Sequence, residues 1–456
     1  MSMTILTRPT GMAVSAALAA ALLAAPLLAP APGLAADAEF SLPVTEQTSP
    51  NGKVFWHLEA PTIPIVSVDI SFEGGARLDP EGLAGVSRLT MGLLDEGAAD
   101  RDAVAAAEAA DALNARFGFS AGRDSVSVSA QMLAENLEAS AALLNDRLTK
   151  PRFDPDAIER VRTQVLAGIA ADETDPGAQA SKAFYNRLFP EHPYGRPVSG
   201  TAESVGAITR DDLVAQRAKL MTLDRAHIAV VGAVDAERAG RIVDAMLTGL
   251  PKIAPEAAAL PDDPEGVPPP GVVVVSLDIP QSVAVFGQQG IPRDDPDYIP
   301  AFVMNYILGG GGFSSRLMTE VREKRGLAYG VYSYLADIDG APLYVGQVQT
   351  ANERIGESLE VIRAEWARMA EEGVTEEELA NAKQYLTGAF PLRFDSNGKI
   401  SGFLVAAQQY ELGLDYIAER NGLVDAVTVE DIGRVAARLL DADALSTVVV
   451  GQPAGL

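Results

Sequence analysis

The 456-residue sequence contains no cysteine. That excludes disulfides, thiolate metal ligands and lipid attachment through a cysteine. Histidine is almost missing as well. His57, His192 and His227 are the only three, and no two are neighbours in the chain. A catalytic zinc site commonly takes three protein ligands from His, Cys and carboxylates, so such a site has few donors to draw on here. Basic residues are also scarce, with 36 Lys and Arg against 62 Asp and Glu, a formal charge of −26. Phosphates would be repelled, which argues against nucleic acid as a partner. The acidity reads first as a solubility device and second as an attraction for basic peptides. Hydrophobic residues still make up 48% of the chain. With no low-complexity tract, that predicts a packed globular protein of two to four domains, at roughly 100–200 residues per domain.

Charge is missing from the first residues too. Arg8 is the only charged residue before Asp37, and an apolar Ala/Leu run extends from Met12 to Ala25. Pro26, Pro30 and Pro32 interrupt it, and Ala36-Asp37-Ala38 resembles an A-x-A cleavage site. Residues 1–38 therefore read as a secretory signal peptide, with a mature start near Asp37 or Glu39. The prolines disfavour a retained anchor helix, and there is no Arg-Arg pair for twin-arginine export. The expectation is an exported soluble protein, periplasmic in a Gram-negative cell, with no membrane association after cleavage.

The remaining chain repeats itself. Thr209-Arg210-Asp211-Asp212-Leu213 leads to Ile228-Ala229-Val230-Val231-Gly232, and Thr428-Val429-Glu430-Asp431-Ile432 leads to Thr447-Val448-Val449-Val450-Gly451. Each T-x-x-D is a capping box that opens a helix, and each Val-rich run reads as a buried strand. A second pair agrees: Val66–Phe72 precedes Asp79-Pro80, and Val283–Gly287 precedes Asp295-Pro296. The order is preserved, so two homologous α/β domains are predicted, residues 39–250 and 271–456. Between them, residues 251–270 carry seven prolines; proline excludes helix and central strand, leaving a semi-rigid linker. Helical patterns at Arg101–Ala115, Glu135–Leu148, Ile158–Ala171, Glu353–Met369 and Glu376–Thr387 alternate with strand patterns at Asp124–Gln131 and Leu343–Gln349. The fold class read from this is α+β, with antiparallel-rich sheets and two halves facing each other like a clam shell across a cleft suited to a ligand.

Several segments carry a resemblance. Gly82–Gly97 reads G-L-A-G-V-S-R-L-T-M-G-L-L-D-E-G. Phe189-Pro190-Glu191-His192-Pro193-Tyr194-Gly195 is followed by Gly200-Thr201. Gly309-Gly310-Gly311-Gly312-Phe313-Ser314-Ser315-Arg316-Leu317 is followed by Val321-Arg322-Glu323-Lys324-Arg325-Gly326-Leu327-Ala328-Tyr329. Together, across nearly all of the mature chain, they resemble the pitrilysin/insulinase family of zinc peptidases, which includes the mitochondrial processing peptidase.

The resemblance implies where zinc would sit, and there the chain departs from the pattern. The family's inverted motif H-x-x-E-H places two zinc ligands and a general base on one helix. The matching positions are Gly85, Arg88 and Leu89. The third ligand, a Glu on a later helix, matches Gly168. Glycine and leucine cannot ligate, and arginine is neither a base nor a neighbour for a cation. The family's Arg/Tyr pair survives as Arg322 and Tyr329, seven residues apart. Both can donate to a peptide carbonyl or to the oxyanion formed from it. The resemblance thus implies a substrate-binding, non-catalytic subunit with no metal of its own, partnered by a homologous zinc-bearing subunit and acting on peptides or unfolded segments. A stand-alone pseudo-peptidase serving as a binding or scaffold protein, like core subunits of respiratory complexes in the same family, is the alternative.

Overall fold

The computed structural model describes residues 40–255, 259–261, 264 and 268–456. The proposed signal segment, residues 1–38, and part of the proline-rich segment lie outside the described residues.

The first half builds a mixed sheet from β1 (Thr45–Thr48), β2 (Val54–Glu59), β3 (Ile65–Glu73), β6 (Arg116–Ala121), β7 (Ser125–Leu133) and β8 (Ala226–Gly232). A two-stranded ribbon, β4 (Gly97–Ala98) and β5 (Arg101–Asp102), stands apart. The second half uses β9 (Gly271–Ser276), β10 (Gln281–Gln289), β11 (Gly330–Ala336), β12 (Leu343–Ala351) and β13 (Ser446–Gly451). The first sheet runs β1-β2-β8-β3-β7-β6 and the second β11-β12-β10-β13-β9. Read from the far end, the second matches β2 through β6 of the first, strand for strand. Each sheet has one parallel pair, β2 with β8 and β9 with β13, and is otherwise antiparallel.

Local chemistry accounts for the repetition. Thr209 and Asp212 form a reciprocal capping box, and so do Thr428 and Asp431. Each satisfies two orphan amides where its helix begins. The strands that follow end on Gly232 and Gly451, at φ 142 and 145, a region that an L side chain rarely enters. There the backbones of β8 and β13 close against Ile65 and Ser282.

The helices of the first half are α1 (Val86–Leu93), α2 (Ala103–Ala112), α3 (Leu137–Thr149), α4 (Pro155–Asp172), α5 (Pro176–Leu188), α6 (Ala202–Ala207), α7 (Arg210–Leu220) and α8 (Ala236–Leu247). Those of the second are α9 (Tyr298–Asn305), α10 (Ile355–Glu372), α11 (Glu376–Ala389), α12 (Asn397–Gln409), α13 (Tyr416–Ala426) and α14 (Val429–Leu439). The two halves exchange a helix. Ala180 and Phe184 of α5 are buried against Val283, Val285, Val448 and Val450 of the second sheet. Ile400 and Leu404 of α12 are buried against Trp56, Leu58, Ala229 and Val231 of the first. Polar groups add to the tie. Arg77 meets Asp339 at 3.1 Å, and the Tyr194 hydroxyl donates to Asp124 at 2.5 Å while lying 3.0 Å from the Asp339 carbonyl oxygen. Phe40–Leu456 is in consequence one compact unit.

The described part of 251–270 contains no helix or strand. Its two ends are tied down by hydrogen bonds: the amides of Leu223 and Asp224 donate to the carbonyls of Pro251 and Lys252 at 2.9 and 3.1 Å, and Arg187 of α5 donates to the carbonyls of Pro269 and Pro270.

Candidate functional site

The positions that match the family's zinc motif lie at the start of α1. α1 starts at Val86, and Gly85 precedes it at φ 92. Asp79 closes this turn by accepting from the amides of Gly85 and Ser87, the Ser87 hydroxyl and the Gln216 side chain. Burial pushes the Asp79 carboxyl up to about 6 against the pull of these donors. A β-carbon on Gly85 would lie 2.7 Å from the Ser199 carbonyl oxygen. Leu89 is fully buried in the first-half core, Arg88 is exposed, and Gly168 faces open space on α4. These four residues offer one cation and no metal donor, so they do not fit a zinc ion. Among the described residues no group of three or more His, Asp or Glu side chains is placed to hold a metal.

The three histidines are engaged elsewhere. His57 Nε2 lies 3.0 Å from the Val234 carbonyl oxygen. His192 Nδ1 accepts from the Tyr194 amide at 3.2 Å, capping a short turn. His227 Nε2 lies 2.8 Å from a Glu73 carboxylate oxygen.

Arg322 and Tyr329 come together. Arg322 sits in a π-helical segment, Met318–Glu323. Gly326, at φ 59, ends the segment, with its amide donating to the Arg322 carbonyl. The chain then turns into the edge strand β11, with Tyr329 just before it and 85% exposed. The Arg322 guanidinium lies 4.6 Å from the Phe313 ring centroid and 5.3 Å from that of Tyr329, within cation–π range of both rings. The nearby carboxylate, Glu320, is occupied by Lys324 and Arg325 at 2.7 and 2.6 Å, and no ion pair engages Arg322 among the described residues. A surface ion pair and a core tyrosine, the ordinary structural use of such residues, are both absent from this pair.

The pair opens onto a cavity of about 730 Å³ on β11 and β12. Gln281, Tyr332, Gln347, Gln349 and Arg354 share its wall. The sequence does not single these out, although Gln347 and Gln349 alternate on one face of β12, the signal that a strand gives for a common surface. Phe313 lies inside a family landmark, but nothing in one sequence says that it stacks on Arg322. Below the site Arg316 makes a two-pronged bond to Glu378, both arms 2.7 Å. Burial works against ionisation of Glu378, yet Arg316 and the Thr375 amide hold its carboxyl down at about 2.

The family model for the insulinase peptidases, family M16, matches residues 55–202, and the model for the peptidase M16 inactive domain matches residues 207–386. An uncharacterized zinc protease of Mycobacterium leprae is 30% identical over 406 residues, 87% of this chain and 89% of the relative. The non-peptidase homolog YmxG of Helicobacter pylori is 28% identical over 351 residues, 76% of this chain and 79% of its own. A solved peptidase M16 inactive domain from Pseudomonas fluorescens superposes with a TM-score of 0.84 at 32% identity, covering 90% of this chain and 98% of that one. A protease from Helicobacter pylori shares the fold at a TM-score of 0.80 and 17% identity, over 90% of this chain and 100% of that one. The chain belongs to peptidase family M16.

Proposed function

We propose that this chain is the zinc-free, substrate-binding subunit of a two-chain zinc metallopeptidase that degrades peptides or unfolded segments. The observation that carries the reading is the contrast between the family's two site elements. The zinc positions hold Gly85, Arg88, Leu89 and Gly168, while Arg322 and Tyr329 stand without an acidic partner on an open cavity. The names of the Pseudomonas fluorescens inactive domain and the Helicobacter pylori non-peptidase homolog support a pseudo-peptidase.

In this reading residues 1–38 direct export to the periplasm and are removed. Residues 39–250 and 271–456 are two peptidase-like domains joined by 251–270. A zinc ion held by the homologous partner would supply Lewis-acid polarisation of the scissile carbonyl and an activated water. Arg322 and Tyr329 then donate to the substrate carbonyl and the oxyanion formed from it. Their guanidinium and hydroxyl are pre-placed, so little reorganisation is needed as charge develops.

The test combines metal analysis with reconstitution. The purified mature chain is expected to hold no zinc and cut no peptide, and to yield a chelator-sensitive peptidase when mixed with a zinc-bearing homologue. Stoichiometric zinc in the isolated chain, with peptidase activity lost on chelation, would overturn the reading.

A further inference from the structure

The wall of the Arg322 cavity is rich in donors and carries no carboxylate. Arg354 lines it beside Arg322. One arm of Arg354 donates to the Gly326 carbonyl at 2.6 Å, and no ion pair engages its charge among the described residues. The neighbouring amides are oriented to leave their donors free. The Gln281 side-chain oxygen accepts from Gln349 at 2.9 Å, and the Gln347 oxygen accepts from the Tyr332 hydroxyl at 3.2 Å. Two acceptors are thereby used internally, leaving the amide NH₂ groups of Gln281 and Gln347 as donors in the same cavity lining as the two arginines. An electron-rich oxygen ligand with negative charge complements such a wall, and a carboxylate matches a guanidinium fork.

We infer that this cavity selects peptides by a carboxylate, either an acidic side chain or a free C-terminus, gripped by Arg354, while Arg322 remains with the scissile carbonyl. The inference rests on the substrate-binding reading above and names its substrate class. It runs against the charge of the whole chain, −26. Exposed surface acids more than about 8 Å away are largely screened at physiological ionic strength, whereas a bound carboxylate meets Arg354 at contact range.

The experiment is fluorescence anisotropy on the mature full-length chain at physiological salt. Four short labelled peptides differ only in a central Glu or Gln and in a free or amidated C-terminus. Roughly tenfold tighter binding of carboxylate-bearing peptides is expected, the low end for charge-assisted hydrogen bonds. Whichever arm carries the gain identifies the side chain or the terminus as the source. Arg354→Gln, at an exposed position, should erase the preference for carboxylate-bearing peptides. If all four peptides bind alike, carboxylate selection is wrong while peptide binding stands. If none binds, the substrate-binding reading fails, and this inference fails with it.

Discussion

A β-carbon on Gly85 would stand 2.7 Å from the carbonyl oxygen of Ser199, so the first position of the lost zinc motif is closed to any residue but glycine unless the backbone moves. Leu89, four residues on, is fully buried. Restoring the motif is therefore expected to damage the fold before it recovers a metal. In the combined variant Gly85→His, Arg88→Glu, Leu89→His, Gly168→Glu, the Leu89 change alone should cost about 2–5 kcal/mol through lost packing and a buried imidazole. Thermal melting and zinc content together check this. A variant that melts like wild type and holds one zinc per chain would contradict it.

The exchanged helices predict interdependent halves. Phe184 is fully buried beneath the second sheet although it belongs to the first half. Phe184→Ala should destabilise the protein by about 3–5 kcal/mol. Expressed separately, residues 40–250 and 271–456 should each aggregate, and co-expression should recover a soluble complex. Two well-behaved isolated fragments would show that the exchange is dispensable.

Acid should loosen the framework around Arg316. The Glu378 carboxyl, ordinarily near 4.5, is held down at about 2 in the folded chain. A depressed carboxylate stabilises the fold above its unfolded pKa, and that contribution is lost as pH falls from about 4.5 through about 2. After allowance for solvent screening it amounts to about 2 kcal/mol. Glu378→Gln should lower stability near neutral pH and flatten the acid limb of a denaturation series across that window. An unchanged acid limb would mean that the Arg316–Glu378 bond contributes nothing net.

Much of this architecture is legible in one sequence because its signals are local. The Thr209 and Thr428 capping boxes, and the glycines that end β8 and β13, depend on residues a few positions apart. The strand pattern at Leu343–Gln349 and the helical patterns at Ile158–Ala171 and Glu376–Thr387 fall within β12, α4 and α11, while those at Glu135–Leu148 and Glu353–Met369 begin two residues before α3 and α10. The exchange of α5 and α12 is not legible, since an apolar stripe says that a helix is covered but not by which sheet. The same limit applies to the site. Arg322 and Tyr329 stand out through spacing and resemblance, whereas Phe313, Gln281 and Arg354 join them only through tertiary packing. The π-helical setting of Arg322 also lies beyond periodicity, because one extra residue in a turn leaves little trace in a short segment.

The central claim is that Arg322 and Tyr329 serve a zinc ion held by another chain. Its most direct test is peptide turnover by the chain reconstituted with a zinc-bearing homologue, comparing wild type with Tyr329→Phe and Arg322→Ala. Tyr329→Phe removes one hydroxyl from a side chain that is 85% exposed, so folding should be unaffected. Loss of one oxyanion donor typically lowers kcat by about 10²–10³, or about 2.7–4 kcal/mol. The expected result is a loss of that order for each variant, with complex formation unchanged by gel filtration. Wild-type turnover from both assembled variants would contradict the account and make the pair structural.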